Sequence, residues 1–173
     1  MNDKHAAIIA QASTDSPLGP ICLAATAHGL AGLWFDDQAH HPGPLDAPVN
    51  PRQPHIAQAL RELAAYWQDP GVRFTVALDP AGTAFQRAVW AVLRDIAPGR
   101  LSSYGAVARH IGRPAAVRAV GGAVGRNPIG IIVPCHRVVG SNGSLTGYAG
   151  GLPRKQALLK AEAALAAESL VNG

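Results

Sequence analysis

The residue pattern of this chain changes at Asp79-Pro80-Ala81-Gly82, a turn-forming sequence near the middle of its 173 residues. Before this turn, short apolar runs alternate with proline and glycine. After it, apolar residues recur at helical spacing. We therefore predict two domains, residues 1–80 and residues 81–173, the first built from strands with one helix and the second mainly helical.

The formal charge divides at the same place. Residues 1–80 carry four Lys and Arg against eight Asp and Glu, a charge of −4, whereas residues 81–173 carry eleven against three, a charge of +8. A basic second half favours contact with a polyanion, and ordinary solubilising charge is the alternative. No segment approaches the roughly 18 consecutive apolar residues of a membrane span, so no membrane association is predicted.

The first half is predicted to form a meander of short strands and one helix. The runs with strand character are Ala6–Ile9, Ile21–Ala24, Leu30–Phe35 and Arg73–Leu78. The segment Asp36–Pro54 contains five prolines and is expected to be a surface loop. Helical spacing then links four apolar residues, Ile56, Leu60, Leu63 and Trp67.

Three helices are predicted at the start of the second half. Thr83–Gln86 resembles a capping box for the first helix. Its apolar stripe is formed by Phe85, Val89, Val92, Leu93 and Ile96. Ser103 can cap the second helix, which runs to about Ile111, and Pro114 suits the first position of the third. Two short helices joined by a glycine-containing turn form a helix-turn-helix pattern.

The third helix has an unusual exposed face. Its inward face is predicted to carry Val117, Val120 and Val124. The opposite face carries Arg118 among small residues, namely Ala115, Ala119 and Gly122. Such a face lets the helix backbone approach another surface closely, and a single long cation can reach into a DNA groove. Tight packing of the helix within the protein is the alternative.

The sequence Pro134-Cys135-His136-Arg137, which follows the strand-like run Ile129–Val133, is the strongest candidate for chemistry. A thiol near its ordinary pKa of about 8.5 is only a few per cent ionised at pH 7, and an adjacent imidazole can promote its ionisation. The other cysteine, Cys22, is expected to be an inert buried thiol. Two distant cysteines suggest a reducing, cytoplasmic location, with a Cys22–Cys135 disulfide as the alternative.

A carboxylate in the last segment is a candidate partner for the histidine. Glu162 is spaced from its apolar neighbours so that it lies on the buried side of a helix beginning near Pro153. A buried carboxylate requires a partner. Glu162 is therefore predicted to orient His136, which activates Cys135. The alternative is a glutamate at the rim of the protein, with its carboxylate in water.

These residues resemble the O6-alkylguanine-DNA alkyltransferase family, also called methylated-DNA–protein-cysteine methyltransferases. The elements that carry the resemblance in the second half stand in the family's order: Ser103-Tyr104, Arg118–Ala123, Asn127-Pro128, Pro134–Val139, Tyr148–Leu152 and Glu162. Ser16–Gly19 and Gly29–Phe35 extend it through the first half. The resemblance implies an α/β, ribonuclease-H-like N-terminal domain followed by a mainly helical domain with a helix-turn-helix, or winged-helix-like, DNA-binding motif.

The resemblance also implies how double-stranded DNA is bound. The recognition helix enters the minor groove, and Arg118 fills the space left when the damaged guanine is swung out of the duplex. The implied DNA-binding residues are Arg118, Ala119, Gly121, Gly122, Ser103 and Tyr104. The implied pocket residues are Val138, Tyr148, Ala149 and Gly150. Arg137 is expected to hold the pocket loop in place.

By the same resemblance, the alkyl group of O6-alkylguanine, and also of O4-alkylthymine, is transferred to Cys135. Glu162 and His136 remove the thiol proton through a water, Tyr104 donates a proton towards the leaving guanine, and Asn127 braces the adjacent turn. The product thioether cannot be cleaved, so each molecule acts once. A non-catalytic lesion binder and a thiol hydrolase that turns over are the alternatives.

No metal and no cofactor are predicted, and the protein is expected to be a monomer. Some relatives bind zinc in the first domain, but Thr26 and Ala31 stand at the corresponding positions here and are poor or impossible ligands. The histidines in that half form no cluster with a cysteine. Ala149 stands where some relatives have a serine, so any contact from this position to the lesion is expected to come from the backbone.

Overall fold

The computed structural model describes residues 6–171 of the chain, with side chains as far as residue 163. The chain divides between Ala81 and Gly82 into two units. The first unit contains a three-stranded antiparallel sheet of β1 (Ala10–Thr14), β2 (Ile21–Ala25) and β3 (Leu30–Phe35), in that order, and one helix, α1 (Pro54–Gln68). All six residues of β3 are buried, which explains the uninterrupted apolar run there.

Two strand predictions in the first unit are wrong. The first strand begins at Ala10, not Ala6, because buried alanines alternate with polar residues there and give only a weak apolar signal. The run Arg73–Leu78 is not a strand, and only Leu78 makes a bridge, to Leu30. The carboxylate of Glu62 accepts the backbone N–H groups of Thr75 and Val76, each at 3.0 Å, in place of a neighbouring strand.

Helix α1 is present as predicted but is rotated about its axis. Its buried residues are Ile56, Ala59, Leu63 and Tyr66, whereas Leu60 and Trp67 are half-buried. The predicted surface loop between Phe35 and Pro54 contains no helix or extended strand. The side chain of Gln11 in β1 donates hydrogen bonds to the carbonyls of Leu45 and Ala47 and so holds this loop against the sheet.

The second unit is mainly helical. Its elements are α2 (Ala84–Arg94), β4 (Ser102–Ser103), α3 (Tyr104–His110), α4 (Val117–Gly125), a 3-10 turn at Cys135–Arg137, β5 (Val138–Val139) and α5 (Leu152–Val171). Strands β4 and β5 pair in parallel. The predicted capping box at Thr83 and Gln86 is confirmed, with both reciprocal hydrogen bonds present. Ser103 caps α3 by accepting the N–H of Ala106.

Helices α3 and α4 form the predicted helix-turn-helix. Trp90 of α2 was not expected in the core, yet it is buried and its indole N–H donates to the carbonyl of Ala123 at 2.8 Å, which fixes α4 against α2. Helix α4 begins at Val117 and not at Pro114, and Val117 is 41% exposed, so its predicted inward orientation is wrong. The buried residues of α4 are Val120, Ala123 and Val124.

Candidate active site

Cys135 begins the 3-10 turn and is 6% exposed. The preceding residues, Ile129–Val133, form a tight turn and not the predicted strand, and Ile131 has a positive φ of 69°. Asn127 explains this turn. Its amide donates to the carbonyl of Val133 at 2.8 Å, and its side-chain oxygen accepts the N–H of Ile129 at 3.0 Å, so the side chain of Asn127 satisfies one backbone group at each end of the turn.

The pKa of the Cys135 thiol is raised by burial, and the Asn127 amide and the Lys155 ammonium act in the opposite direction. A buried thiol of this kind is protonated at neutral pH, so it needs a base to take its proton as it reacts. Both cysteines of the chain are free thiols, which excludes the Cys22–Cys135 disulfide. Cys22 is half-buried, not fully buried as expected.

His136 and Glu162 meet in the core of this unit. The Nε2 atom of His136 lies 2.8 Å from Oε1 of Glu162, and the two residues are 0% and 1% exposed. The alternative of a glutamate at the rim is therefore wrong. Burial raises the pKa of Glu162, but hydrogen bonds from His136 and Arg137 outweigh that effect and bring the pKa to about 2.

The charge of Glu162 fixes the protonation of the histidine ring. An ionised carboxylate can only accept hydrogen bonds, so Nε2 of His136 must carry the proton that faces it. Burial lowers the pKa of His136, which keeps the ring neutral near pH 7 and leaves Nδ1 unprotonated. Within the described part of the chain, Nδ1 is buried and has no hydrogen-bond partner. Nδ1 is thus the basic atom of the site. It belongs to the residue that follows Cys135 in the chain, but no hydrogen bond joins it to the thiol.

Arg137 occupies a different place from the one expected. Its Nε and Nη2 atoms donate to the two oxygens of Glu162 at 3.0 and 2.8 Å. Its Nη1 atom donates to the carbonyl of Ile96, just beyond α2. The expectation that Arg137 holds the pocket loop is wrong, because its contacts are with α5 and the end of α2.

Lys155 holds the pocket loop instead, and sequence reasoning missed it. The side chain is fully buried, and its Nζ atom donates to the carbonyls of Val138 at 2.7 Å and Thr146 at 2.9 Å. Burial lowers the pKa of Lys155, and the nearby Cys135 acts against that shift. Lys155 precedes Glu162 by seven residues and so lies on the same face of α5. That spacing was the available signal.

The predicted pocket residues lie on β5 and on the loop between β5 and α5. Val138 is fully buried, Gly150 is buried, and Tyr148 and Ala149 are half-buried. The loop also contacts α3, where the hydroxyls of Tyr104 and Thr146 lie 3.0 Å apart. Lys155 and Tyr104 therefore both contact Thr146, one through its carbonyl and the other through its side chain.

The small-residue face of α4 is turned away from the protein. Ala115, Arg118, Ala119 and Gly122 are exposed, and Gly121 is half-buried. A Cβ atom added at Gly122 would meet nothing within 4 Å, and one at Gly121 would meet only Tyr104, at 3.9 Å. Packing within the protein therefore does not require these glycines, and the alternative of tight internal packing is wrong for this face.

Two further searches of the described residues bear on the class of protein. No group of three or more His, Cys, Asp or Glu side chains among them is arranged to hold a metal ion. None of the helices in the described part of the chain is both long and apolar enough to cross a membrane.

Two family models match the chain in succession. The model of the 6-O-methylguanine DNA methyltransferase ribonuclease-like domain matches residues 9–80. The model of the 6-O-methylguanine DNA methyltransferase DNA-binding domain matches residues 84–164. These matches confirm the predicted order of an α/β ribonuclease-like domain and a helical DNA-binding domain.

Named relatives agree over most of the chain. The methylated-DNA–protein-cysteine methyltransferase of Mycolicibacterium paratuberculosis is 47% identical over 150 residues, covering 87% of this chain and 90% of the relative. That of Methanosarcina acetivorans is 47% identical over 148 residues, covering 86% and 94%. The crystal structure of Mycobacterium tuberculosis OGT in complex with DNA is similar with a TM-score of 0.82 at 43% identity, covering 90% of this chain and 94% of that one. The chain therefore belongs to the methylated-DNA–protein-cysteine methyltransferases, the O6-methylguanine-DNA methyltransferases of direct-reversal DNA repair.

Proposed function

We propose that Cys135 is the alkyl acceptor, and that this protein moves the alkyl group of O6-alkylguanine in DNA onto its own thiol once per molecule. The observation that carries the proposal is the buried pair of His136 and Glu162, 2.8 Å apart beside Cys135. Because the ionised Glu162 fixes the proton of the ring on Nε2, the Nδ1 atom is left to act as a base.

The reaction is a displacement at the alkyl carbon. The thiol proton of Cys135 passes to Nδ1 of His136 through a bridging water, and Glu162 stabilises the imidazolium that forms. The bond from sulfur to the alkyl carbon forms as the bond from that carbon to O6 breaks. The electron pair goes to the guanine, which gains a proton from the hydroxyl of Tyr104. The imidazolium of His136 then returns a proton to the Tyr104 oxygen through solvent. The net change is the loss of the thiol proton and the gain of one proton by the guanine.

Two neighbours of Cys135 stabilise the thiolate as it forms during this step. Burial raises the pKa of the Cys135 thiol, and the Asn127 amide and the Lys155 ammonium offset part of that rise. The product is a thioether, which has no proton to lose and no leaving group that the neighbouring side chains can activate. Alkyl transfer therefore stops after one event.

The exposed face of α4 supports binding of double-stranded DNA through the minor groove. Arg118, Ala119, Gly121 and Gly122 are proposed to approach the groove, with Arg118 replacing the extruded base in the stack. Ser103 and Tyr104 at the start of α3 contact the backbone beside the lesion. The charge of +8 on residues 81–173 supplies the attraction to phosphate. We assign DNA binding and alkyl transfer to residues 81–173, and a separate α/β domain to residues 1–80.

The pocket for the extruded base is proposed to be lined by Val138, Tyr148, Ala149 and Gly150. The same chemistry extends to O4-alkylthymine, which presents an alkyl carbon on a similar exocyclic oxygen. The reaction needs no cofactor or metal, because thiol, base and proton donor are all side chains of the chain. We expect a monomer acting in the cytoplasm, where the thiol stays reduced.

The test is a count of alkyl groups transferred. The protein is incubated with an excess of duplex DNA containing O6-methylguanine, and the intact mass and the modified residue are found by mass spectrometry. One methyl group per chain, on Cys135, is the expected result. C22A should behave as the native protein and C135A should accept no methyl group. Continued turnover would favour the thiol hydrolase, and no transfer would favour the lesion binder.

A further inference from the structure

The guanidinium of Arg137 joins three parts of the second unit. It donates two hydrogen bonds to the carboxylate of Glu162 on α5 and a third to the carbonyl of Ile96 beyond α2. Oε1 of Glu162 accepts from Arg137 and lies against Nε2 of His136 at the same time, each at 2.8 Å. Arg137 is 6% exposed, so these contacts lie away from solvent.

We infer that Arg137 is a positioning residue for alkyl transfer: it holds Glu162 ionised and oriented so that His136 keeps its proton on Nε2 and its Nδ1 atom accepts the proton of Cys135. This inference rests on the proposed roles of Cys135, His136 and Glu162. Arg137 touches none of the reacting atoms in this arrangement and acts through the carboxylate.

The chemistry of the carboxylate explains why a cation is needed there. Burial alone would favour the protonated form of Glu162. A protonated carboxyl group donates its proton, so Nε2 would become the acceptor and the neutral ring would carry its proton on Nδ1. The histidine would then present an N–H to Cys135 and could not act as its base. A single proton on Glu162 would thus switch the relay off.

Arginine suits this position better than lysine. Its planar fork bonds both carboxylate oxygens and leaves a third N–H for Ile96, whereas an ammonium is a point charge that fixes no plane. The other ionisable groups that act on His136 and Cys135 are Glu162 and Lys155, and Lys155 donates to the carbonyls of Val138 and Thr146, not to the carboxylate. Lys155 therefore does not replace Arg137 at Glu162.

Stability alone does not account for the arrangement. A buried ion pair often contributes little net stability compared with apolar residues of similar volume, because both charges must leave water. The geometry here instead confines the tautomer of one histidine. In other catalytic sites, an acid that orients a histidine acts in the same way, and its loss populates the wrong tautomer.

The experiment compares R137M, R137K and E162Q in the full chain. Single-turnover rates with an O6-methylguanine duplex are measured between about pH 5 and 9. The protonated nitrogen of His136 is found from its ¹⁵N chemical shifts. R137M should react at least about tenfold more slowly than the native protein near neutral pH. The difference between the two rates should become smaller as the pH rises, because Glu162 of the variant then ionises. Its ring proton should move to Nδ1, and R137K should lie between R137M and the native protein.

The controls distinguish a specific role of Arg137 from a loss of folding and from a failure of the proposed relay. R94M removes an exposed arginine of α2 and should keep the native rate and tautomer. The double variant R137M/E162Q replaces the buried ion pair by neutral groups, and it should fold and match the rate of E162Q. If R137M is folded and keeps the native rate and tautomer while E162Q is slow, this inference alone is overturned. A native rate in E162Q overturns the relay as well.

Discussion

Glu162 lies on α5, a helix that begins sixteen residues after His136, yet the two side chains meet at 2.8 Å in the core of the second unit. The contact brings α5 onto the 3-10 turn that carries Cys135. It also makes the protonation of the ring depend on a carboxylate whose pKa is held at about 2. In the proposed mechanism, the protonation state of the base that serves Cys135 is therefore set by Glu162.

The first prediction concerns this relay. E162Q keeps the shape of the side chain but removes the charge that stabilises the imidazolium, so the single-turnover rate should fall on the order of 100-fold at neutral pH. The rate should then increase with pH, since the thiol must ionise unaided and burial raises the pKa of Cys135. H136A should show a larger loss with the same trend. Native rates and pH profiles in both variants would exclude the relay.

The second prediction concerns stability in acid. The pKa of Glu162 is lowered from 4.5 to about 2 in the folded state. Its contribution to the free energy of unfolding is therefore fully present above about pH 4.5 and is lost as the pH falls towards 2. Its magnitude is about 3 kcal/mol. The pKa of His136 is also lowered on folding, so stability begins to fall below pH 6.5 as the unfolded chain binds that proton.

Urea unfolding as a function of pH measures both contributions. In E162Q, the free energy of unfolding should decrease less steeply as the pH falls below about 4.5. C22A should keep the native dependence of the free energy of unfolding on pH. Equal slopes in E162Q and the native protein would mean that Glu162 titrates alike in the folded and unfolded states, in conflict with its two buried partners.

The sequence predicted the contact between His136 and Glu162 better than it predicted the backbone around Cys135. Cys135 and His136 are neighbours in the chain, and Glu162 was found from helical spacing alone. The prediction of a strand at Ile129–Val133 is wrong because a buried turn is as apolar as a buried strand. Hydrogen bonds within the segment and to the side chain of Asn127 form the turn, and an apolar pattern does not reveal them.

Lys155 was missed for a different reason. Lysine is rarely buried, so its spacing along α5 alone does not predict a buried side chain. Its burial depends on hydrogen bonds to the carbonyls of Val138 and Thr146, which lie outside α5. Arg137 was assigned to the wrong partner, because a sequence gives no distance between a 3-10 turn and the helix that covers it. Long-range hydrogen bonds of this kind depend on tertiary packing and not on local pattern.

The third prediction concerns Arg118. R118A should slow repair of O6-methylguanine in a duplex by roughly 10- to 100-fold, the range expected if the arginine offsets a few kcal/mol of base extrusion. Reaction with free O6-benzylguanine needs no extrusion and should change little. R126A, which removes an exposed arginine at the end of the same helix, should weaken DNA binding mainly through salt-dependent attraction. If R118A slows the reaction equally on the duplex and on the free base, Arg118 supports the pocket or the fold and not base extrusion.

The last prediction separates stability from function at Gly122. Glycine in mid-helix costs about 1 kcal/mol relative to alanine, and a Cβ atom at Gly122 meets nothing within 4 Å. G122A should therefore raise the unfolding free energy by up to that amount while weakening binding to duplex DNA, because the added methyl group holds α4 away from the groove. G122L should weaken binding further. A64L, which enlarges an exposed residue of α1, is the control and should leave DNA binding unchanged. Native DNA affinity in G122L would show that this face of α4 does not approach the duplex.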